Sequence, residues 1–180
     1  MSHESCLGDM LRVADLFSHV ISRTLNEKLV AEISDDHVSV AQLGAVRFIR
    51  LHCRVRMGDL ANGLMISYPS ATNMVNRLER QGLAMRGVNP SDHREVEVSL
   101  TPEGMDLADR IDEERTARLE TMVASMPQEA RESLCQGLYS FVASAVGGSL
   151  AMAEDICLRC GTRAGSGCPV ASLNPEAPCR

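Results

Sequence analysis

The chain has 180 residues, 44% of them apolar and 23% charged, with a formal net charge of −6 and seven cysteines. Those values exclude a membrane-spanning class, because no apolar run approaches the roughly 18–20 residues that cross a bilayer, and polar residues through 1–16 replace the apolar core of a secretory signal. A cytoplasmic protein of one domain, or of one domain with a helical extension, is expected, its thiols reduced or metal-bound rather than disulfide-linked.

Residues 8–33 carry Leu11, Ala14, Phe17, Val20, Ile21, Leu25, Leu29 and Ile33 on a 3.6-residue stripe, which predicts a long amphipathic helix. Ser34-Asp35-Asp36 ends it. A second helix is expected over 39–53, through Val40, Leu43, Val46, Phe48, Ile49 and Leu51. A short third runs from Met57 to about Leu64. Ser67 is then a candidate N-cap with Pro69 in the first turn, opening a helix over 68–80 that Gly82 stops. Residues 83–88 and 95–100 read as two strands, the second strictly alternating, joined by the turn-forming Asn89-Pro90-Ser91-Asp92-His93-Arg94. Thr101-Pro102-Glu103-Gly104 opens a helix to about Met126, and a last helix is expected from Pro127 to about Glu154.

Charge is unevenly distributed. Residues 47–94 hold eight arginines against three acidic residues, a net of +5, while the rest of the chain carries −11. A basic segment inside an acidic protein can bind phosphate locally, or it can be a solvated charged face. Of the 18 basic residues only Lys28 is lysine. Arginine suits bidentate contacts to phosphate and guanine.

Two short helices followed by a two-stranded hairpin form the winged helix-turn-helix order, in which the second helix enters the DNA major groove. Met57-Gly58-Asp59-Leu60-Ala61, the stretch from Ser67 through Arg77-Leu78-Glu79-Arg80-Gln81-Gly82-Leu83, and Asn89–Arg94 followed by Leu100–Gly104 together resemble the MarR family of bacterial transcriptional regulators. The resemblance covers about residues 8–150 in element order, with its specific motifs within 57–104. It implies a mainly α fold: a winged helix-turn-helix with an α/β wing over 37–100, and an all-helical dimerisation region from 1–36 and 101–154. It also implies a homodimer that binds double-stranded DNA at a palindromic operator, usually as a repressor, and whose binding is weakened by a small-molecule effector or by a redox or metal change at a cysteine site. The stripe at Met105, Leu107, Ala108, Ile111, Leu119 and Val123 fits either a dimer interface or an intrachain core.

A recognition helix presents its N-terminal, outward side chains to base edges. Here these are Ser67, Ser70, Thr72, Asn73, Asn76 and Arg77, with Arg80 further along. Asparagine can pair with adenine and arginine with guanine. Serine and threonine more often meet phosphate or cap helices, and Ser67 has both readings open. Met74, Val75 and Leu78 are expected in the core. Arg94 and His93 would reach the minor groove or its phosphates from the wing, as in the family. Arg47, Arg50, Arg54 and Arg56 are further candidates for phosphate contacts.

The segment 155–180 departs from the family plan. Cys157, Cys160, Cys168 and Cys179 are spaced C-x2-C-x7-C-x10-C among several glycines. Four thiolates can hold zinc or an iron–sulfur cluster, and the first pair resembles a metal knuckle. Free thiols, or a disulfide formed on oxidation, remain the alternatives. Cys6, Cys53 and Cys135 read as buried small hydrophobes or inert thiols, Cys6 lying ahead of the first helix. His3, His19, His37 and His52 read as structural or exposed, and Asp112-Glu113-Glu114 as a solvated face. No phosphate loop, nucleophile elbow or paired helix histidines are present, so no enzyme is expected. The competing class is a thiol or iron–sulfur redox protein whose helices serve only dimerisation.

Overall fold

Helix α1 (His3–Ser22) opens the chain and passes into a π-helical turn, Arg23–Glu27, in the computed structural model, which describes residues 3–27, 38–88, 96–147 and 149–160. The helix starts five residues earlier than its stripe predicts, so Cys6 falls within it rather than ahead of it. Carbonyls in the last turn of a helix lack intrahelical partners. Arg118 Nη1 donates to the Thr24 carbonyl at 3.2 Å, and Arg115 Nη1 to the Leu25 carbonyl at 2.8 Å and to Asn26 Oδ1. The expected break at Ser34-Asp35-Asp36 and the position of His37 lie outside the described residues.

Helix α2 (Val40–His52) begins on Ser39, whose hydroxyl accepts the Gln42 N–H while the Gln42 side chain accepts the Ser39 N–H. This reciprocal capping box satisfies two orphan donors. The helix ends at Cys53, which adopts φ +63° in a tight turn closed by the Arg54 N–H donating to the His52 carbonyl at 2.7 Å. Cys53 is exposed, as is Cys135, so of the two readings, buried hydrophobe or inert thiol, the first does not hold for either. Strand β1 (Val55–Arg56) and helix α3 (Met57–Gly63) follow. A turn through Met65 at φ +54° leads to helix α4 (Tyr68–Arg80).

Strands β2 (Ala84–Val88) and β3 (Val96–Leu100) form the hairpin, and β1 adds to β3 to give an antiparallel sheet in the order β1-β3-β2. Val55 pairs with Val98, and Val98 with Arg86. Strand β1 is absent from the sequence-based expectation because two residues display no alternation. The hairpin tip, residues 89–95, lies outside the described residues, and with it Asp92, His93 and Arg94.

Helix α5 (Pro102–Val123) starts on Thr101, whose hydroxyl accepts the Gly104 N–H at 3.1 Å. One core joins these elements: Val46 and Ile49 of α2, Leu60 of α3, Val75 and Leu78 of α4, Val98 of β3 and Ile111 of α5 are all fully buried. The stripe of α5 therefore divides. Leu107, Ala108 and Ile111 are intrachain core, while Met105 and Leu119 are exposed.

The expected last helix is two. Helix α6 (Gln128–Val146) stops at Gly147, and α7 (Leu150–Cys160) restarts after Ser149, whose hydroxyl accepts the Met152 N–H. Val146 and Ala153 bury against each other with Val142 and Ile156. Among the described residues no helix is long and apolar enough to cross a membrane.

Candidate nucleic-acid interface

Helix α4 is held by one face and open on the other. Ala71, Val75 and Leu78 are buried, Met74 packs against them, and Pro69, Ser70, Asn73, Asn76, Arg77 and Arg80 are exposed. Those exposed positions recur at helical spacing, so they form one outward stripe. Ser67 is the N-cap: its hydroxyl accepts the Ser70 N–H at 3.3 Å and shares a hydrogen bond with Ser70 Oγ at 2.8 Å. Thr72 is half-buried and its hydroxyl donates to the Tyr68 carbonyl at 3.0 Å. Tyr68, which no spacing in the sequence marks out, is 58% exposed beside them.

The wing is fastened to this helix by Arg86 of β2. Its backbone N–H donates to Glu79 Oε1 at 3.1 Å, and its guanidinium pairs with Glu79 Oε2. A second guanidinium nitrogen donates to Asn76 Oδ1 at 2.8 Å and faces the Thr72 carbonyl at 3.5 Å. Thr72, Asn76 and Glu79 are four and three residues apart, one line along the helix. Neither Arg86 nor Glu79 was singled out from the sequence. The two belong to different elements, and only the folded turn through Gly82, at φ +73°, brings them together.

The other basic residues separate into two groups. Arg47 donates to Asp112 at 2.7 Å and Arg50 to Asp109 at 3.1 Å, both on α5. They tie the winged head to the long helix, so both cations expected at phosphate already have a carboxylate partner. Asp112 is correspondingly an ion-pair partner rather than part of a solvated face, and Glu114 pairs with Arg118. Arg54 and Arg56 are exposed, Arg56 on β1 opposite Glu97. Arg80 Nε donates to the Asn76 carbonyl at 3.2 Å. Arg77 and Arg80 line an open cleft with Gln42 and Gln81, whose amides hydrogen-bond at 2.8 Å.

A cavity of about 340 Å³ lies between the π turn, α2 and α5, lined by Asn26, Val40, Gly44, Arg47, Ile111 and Arg115. Burial pulls the Arg115 guanidinium below its ordinary value; the Arg47 cation acts in the same direction and Asp112 opposes both. Two guanidinium groups beside an apolar wall suit a small anion with a hydrocarbon body.

At the far end, Cys157 is half-buried on α7 and Cys160 closes that helix, so the spacing read as a knuckle lies on a helix instead of a turn. Cys168 and Cys179 lie outside the described residues. Among the described residues no three His, Cys, Asp or Glu side chains are grouped to hold a metal ion. The His52 ring packs at a tilt of 37° against Phe48, centroids 4.5 Å apart, and hydrogen-bonds the Leu158 carbonyl at 2.6 Å, a structural role as expected.

A family model described as the MarR family matches residues 38–96. The chain is similar to the HTH-type transcriptional regulator FarR of Neisseria gonorrhoeae, 30% identical over 97 residues, which are 54% of this chain and 66% of that protein. It is similar to the homoprotocatechuate degradative operon repressor of Escherichia coli, 33% identical over 85 residues, 47% of this chain and 57% of that protein. The chain thus spans between about half and two thirds of the length of these curated relatives. Among solved structures, Streptococcus pneumoniae FabT in complex with DNA superimposes with a TM-score of 0.63 at 20% identity, over 73% of this chain and 94% of that one. At that identity the likeness is one of fold: a winged helix-turn-helix carried by long helices.

Proposed function

The chain belongs to the MarR family, and from that premise we propose that it is a homodimeric DNA-binding transcriptional repressor acting on a palindromic operator. The observation that carries this reading is the outward stripe of α4, with Ser70, Asn73, Asn76, Arg77 and Arg80 exposed on a helix whose opposite face is locked in the core. Amide and guanidinium groups on such a helix match the hydrogen-bonding edges of the major groove. Arg54, Arg56 and the wing residues His93 and Arg94 flank the helix in the sequence and supply backbone and minor-groove contacts in this reading. The relatives named above are a regulator and an operon repressor, which favours regulation over catalysis.

Dimerisation is supported by what one chain leaves bare. Leu7, Met10, Leu11, Val13, Leu16, Phe17 and Val20 of α1 are exposed, as are Leu134, Leu138, Tyr139 and Phe141 of α6. Contiguous apolar surface of this kind is rare on a monomeric soluble protein. A second copy covers it and sets two α4 helices on one face of the duplex. The cavity beside Arg47 and Arg115 joins the winged head to the long helices, so an anionic effector seated there would bias the spacing of the two heads.

The test is selection from random duplex DNA by the purified full chain. The expected result is enrichment of a two-fold symmetric motif with half-sites about 10 bp apart, centre to centre. No enrichment would overturn the reading. A thiol or iron–sulfur protein with purely structural helices leaves the polar stripe of α4 unexplained.

A zinc ion or iron–sulfur cluster held by Cys157, Cys160, Cys168 and Cys179 is a second proposal, supported by four thiols within 23 residues. Metal analysis and an absorption spectrum of anaerobically purified protein check it. One equivalent of zinc, or a coloured sulfur-to-iron band, is expected, and colourless metal-free protein would contradict it.

A further inference from the structure

We propose that Arg86 fixes the orientation of the Asn76 amide and thereby sets which bases that residue accepts. The inference rests on the DNA-binding reading above. Arg86 Nη2 lies 2.8 Å from Asn76 Oδ1, and the same guanidinium is anchored at its other side by Glu79. The Arg86 backbone N–H also bonds Glu79, so the arginine is held at both main chain and head group. Nη2 faces the Thr72 carbonyl as well, which keeps the guanidinium along the helix rather than turned out to solvent.

A guanidinium has five donors and no acceptor. An asparagine facing it must present its oxygen, since the opposite flip would set two sets of N–H groups against each other. The flip of an amide is often ambiguous; here the chemistry of the neighbour decides it. With the oxygen turned inward, Asn76 offers its NH2 group outward, and Asn76 is exposed on the stripe that would enter the groove.

Pairing of asparagine with adenine uses both ends of the amide, the oxygen accepting from N6 and the nitrogen donating to N7. The Arg86 contact takes one of the two lone pairs of the Asn76 oxygen and turns that oxygen toward β2. A base with an acceptor at the exocyclic position, O6 of guanine or O4 of thymine, meets the outward NH2 directly. Cytosine offers only its amino group and sets donor against donor, while adenine keeps N7 for the NH2 but sets its N6 amino group against the same donor. The residue type alone suggests adenine, and the strand β2 neighbour reverses that preference. Arg86 is therefore a specificity-determining residue that acts through Asn76 without reaching the DNA.

The experiment is the random-duplex selection repeated with the full-length protein carrying Asn76→Asp, Asn76→Ala or Arg86→Met, each checked for a cooperative melt. Wild type is expected to prefer guanine or thymine over adenine and cytosine by about tenfold at one position of each half-site. Asn76→Ala should erase that preference. Asn76→Asp keeps the Arg86 contact but presents only acceptors, so the same position should switch to adenine or cytosine. Arg86→Met frees the amide and should admit adenine there. If Arg86→Met does not fold, the Asp and Ala variants carry the test. A wild-type preference for adenine that Asn76→Ala erases would overturn the inference, and so would a motif indifferent to all substitutions of Asn76. Both leave the DNA-binding reading standing, whereas the absence of any wild-type motif overturns the two together.

Discussion

A methyl group at Gly104 would sit 1.9 Å from the Leu83 carbonyl oxygen, which is backbone and cannot swing aside. That contact sets the close approach of α5 to the turn that follows α4. Thr101 fixes the same junction by capping α5 and donating its hydroxyl to the Gly82 carbonyl. Gly104→Ala is expected to lower stability by at least about 2 kcal/mol, because overpacking against a rigid neighbour outweighs the helix propensity gained. Denaturant unfolding checks it, and an unchanged midpoint would contradict it. At this scale the sequence is informative where the interaction is local. Ser67, Thr101 and Gly82 act within a few residues of themselves, and their roles as caps and stop follow from residue type and spacing. Arg47 and Arg50 are the reverse case. Their partners Asp112 and Asp109 are about sixty residues away, so a charge count counts two free cations where the fold pairs both with α5.

Helix α7 shows what element patterns miss and why. Apolar periodicity runs on past Val146, but Gly147 and Gly148 each cost about 1 kcal/mol relative to alanine in a helix interior. The following Ser149 offers a new cap. The Gly-Gly-Ser run was the legible signal. What the restarted helix rests on was not legible, because it depends on the fold of a distant segment. Leu158 packs against the main core, and its carbonyl meets His52 at the end of α2. Helix α7, which carries Cys157, is thereby fastened next to the helix-turn-helix. Leu158→Ala should loosen α7 by about 1–3 kcal/mol while leaving α4 unaffected. Amide hydrogen exchange resolved by segment would read this as faster exchange across 150–160 alone. Equal protection in the variant would contradict the docking, and faster exchange throughout would assign Leu158 to the global core.

For the whole molecule, the average charge of −6 misleads, because it sums a basic winged head with acidic long helices. The fold class and the outward stripe of α4 follow from element order and from caps. The division of the α5 stripe between core and surface does not, since periodicity shows that a face is apolar without showing what covers it. The bare apolar residues of α1 and α6 argue for a second copy. Leu16→Glu, at a position 59% exposed in the single chain, should leave the winged head folded yet drive the protein to monomers. Sedimentation velocity reads the change, and a variant that stays dimeric would place the interface elsewhere.

The claim that two copies read one symmetric site is tested most directly by a hydroxyl-radical footprint of the full chain on its selected duplex. Two protected patches are predicted, related by a dyad and about one helical turn apart, each with flanking minor-groove protection from a wing. A single asymmetric patch, or cleavage unchanged by saturating protein, would contradict it.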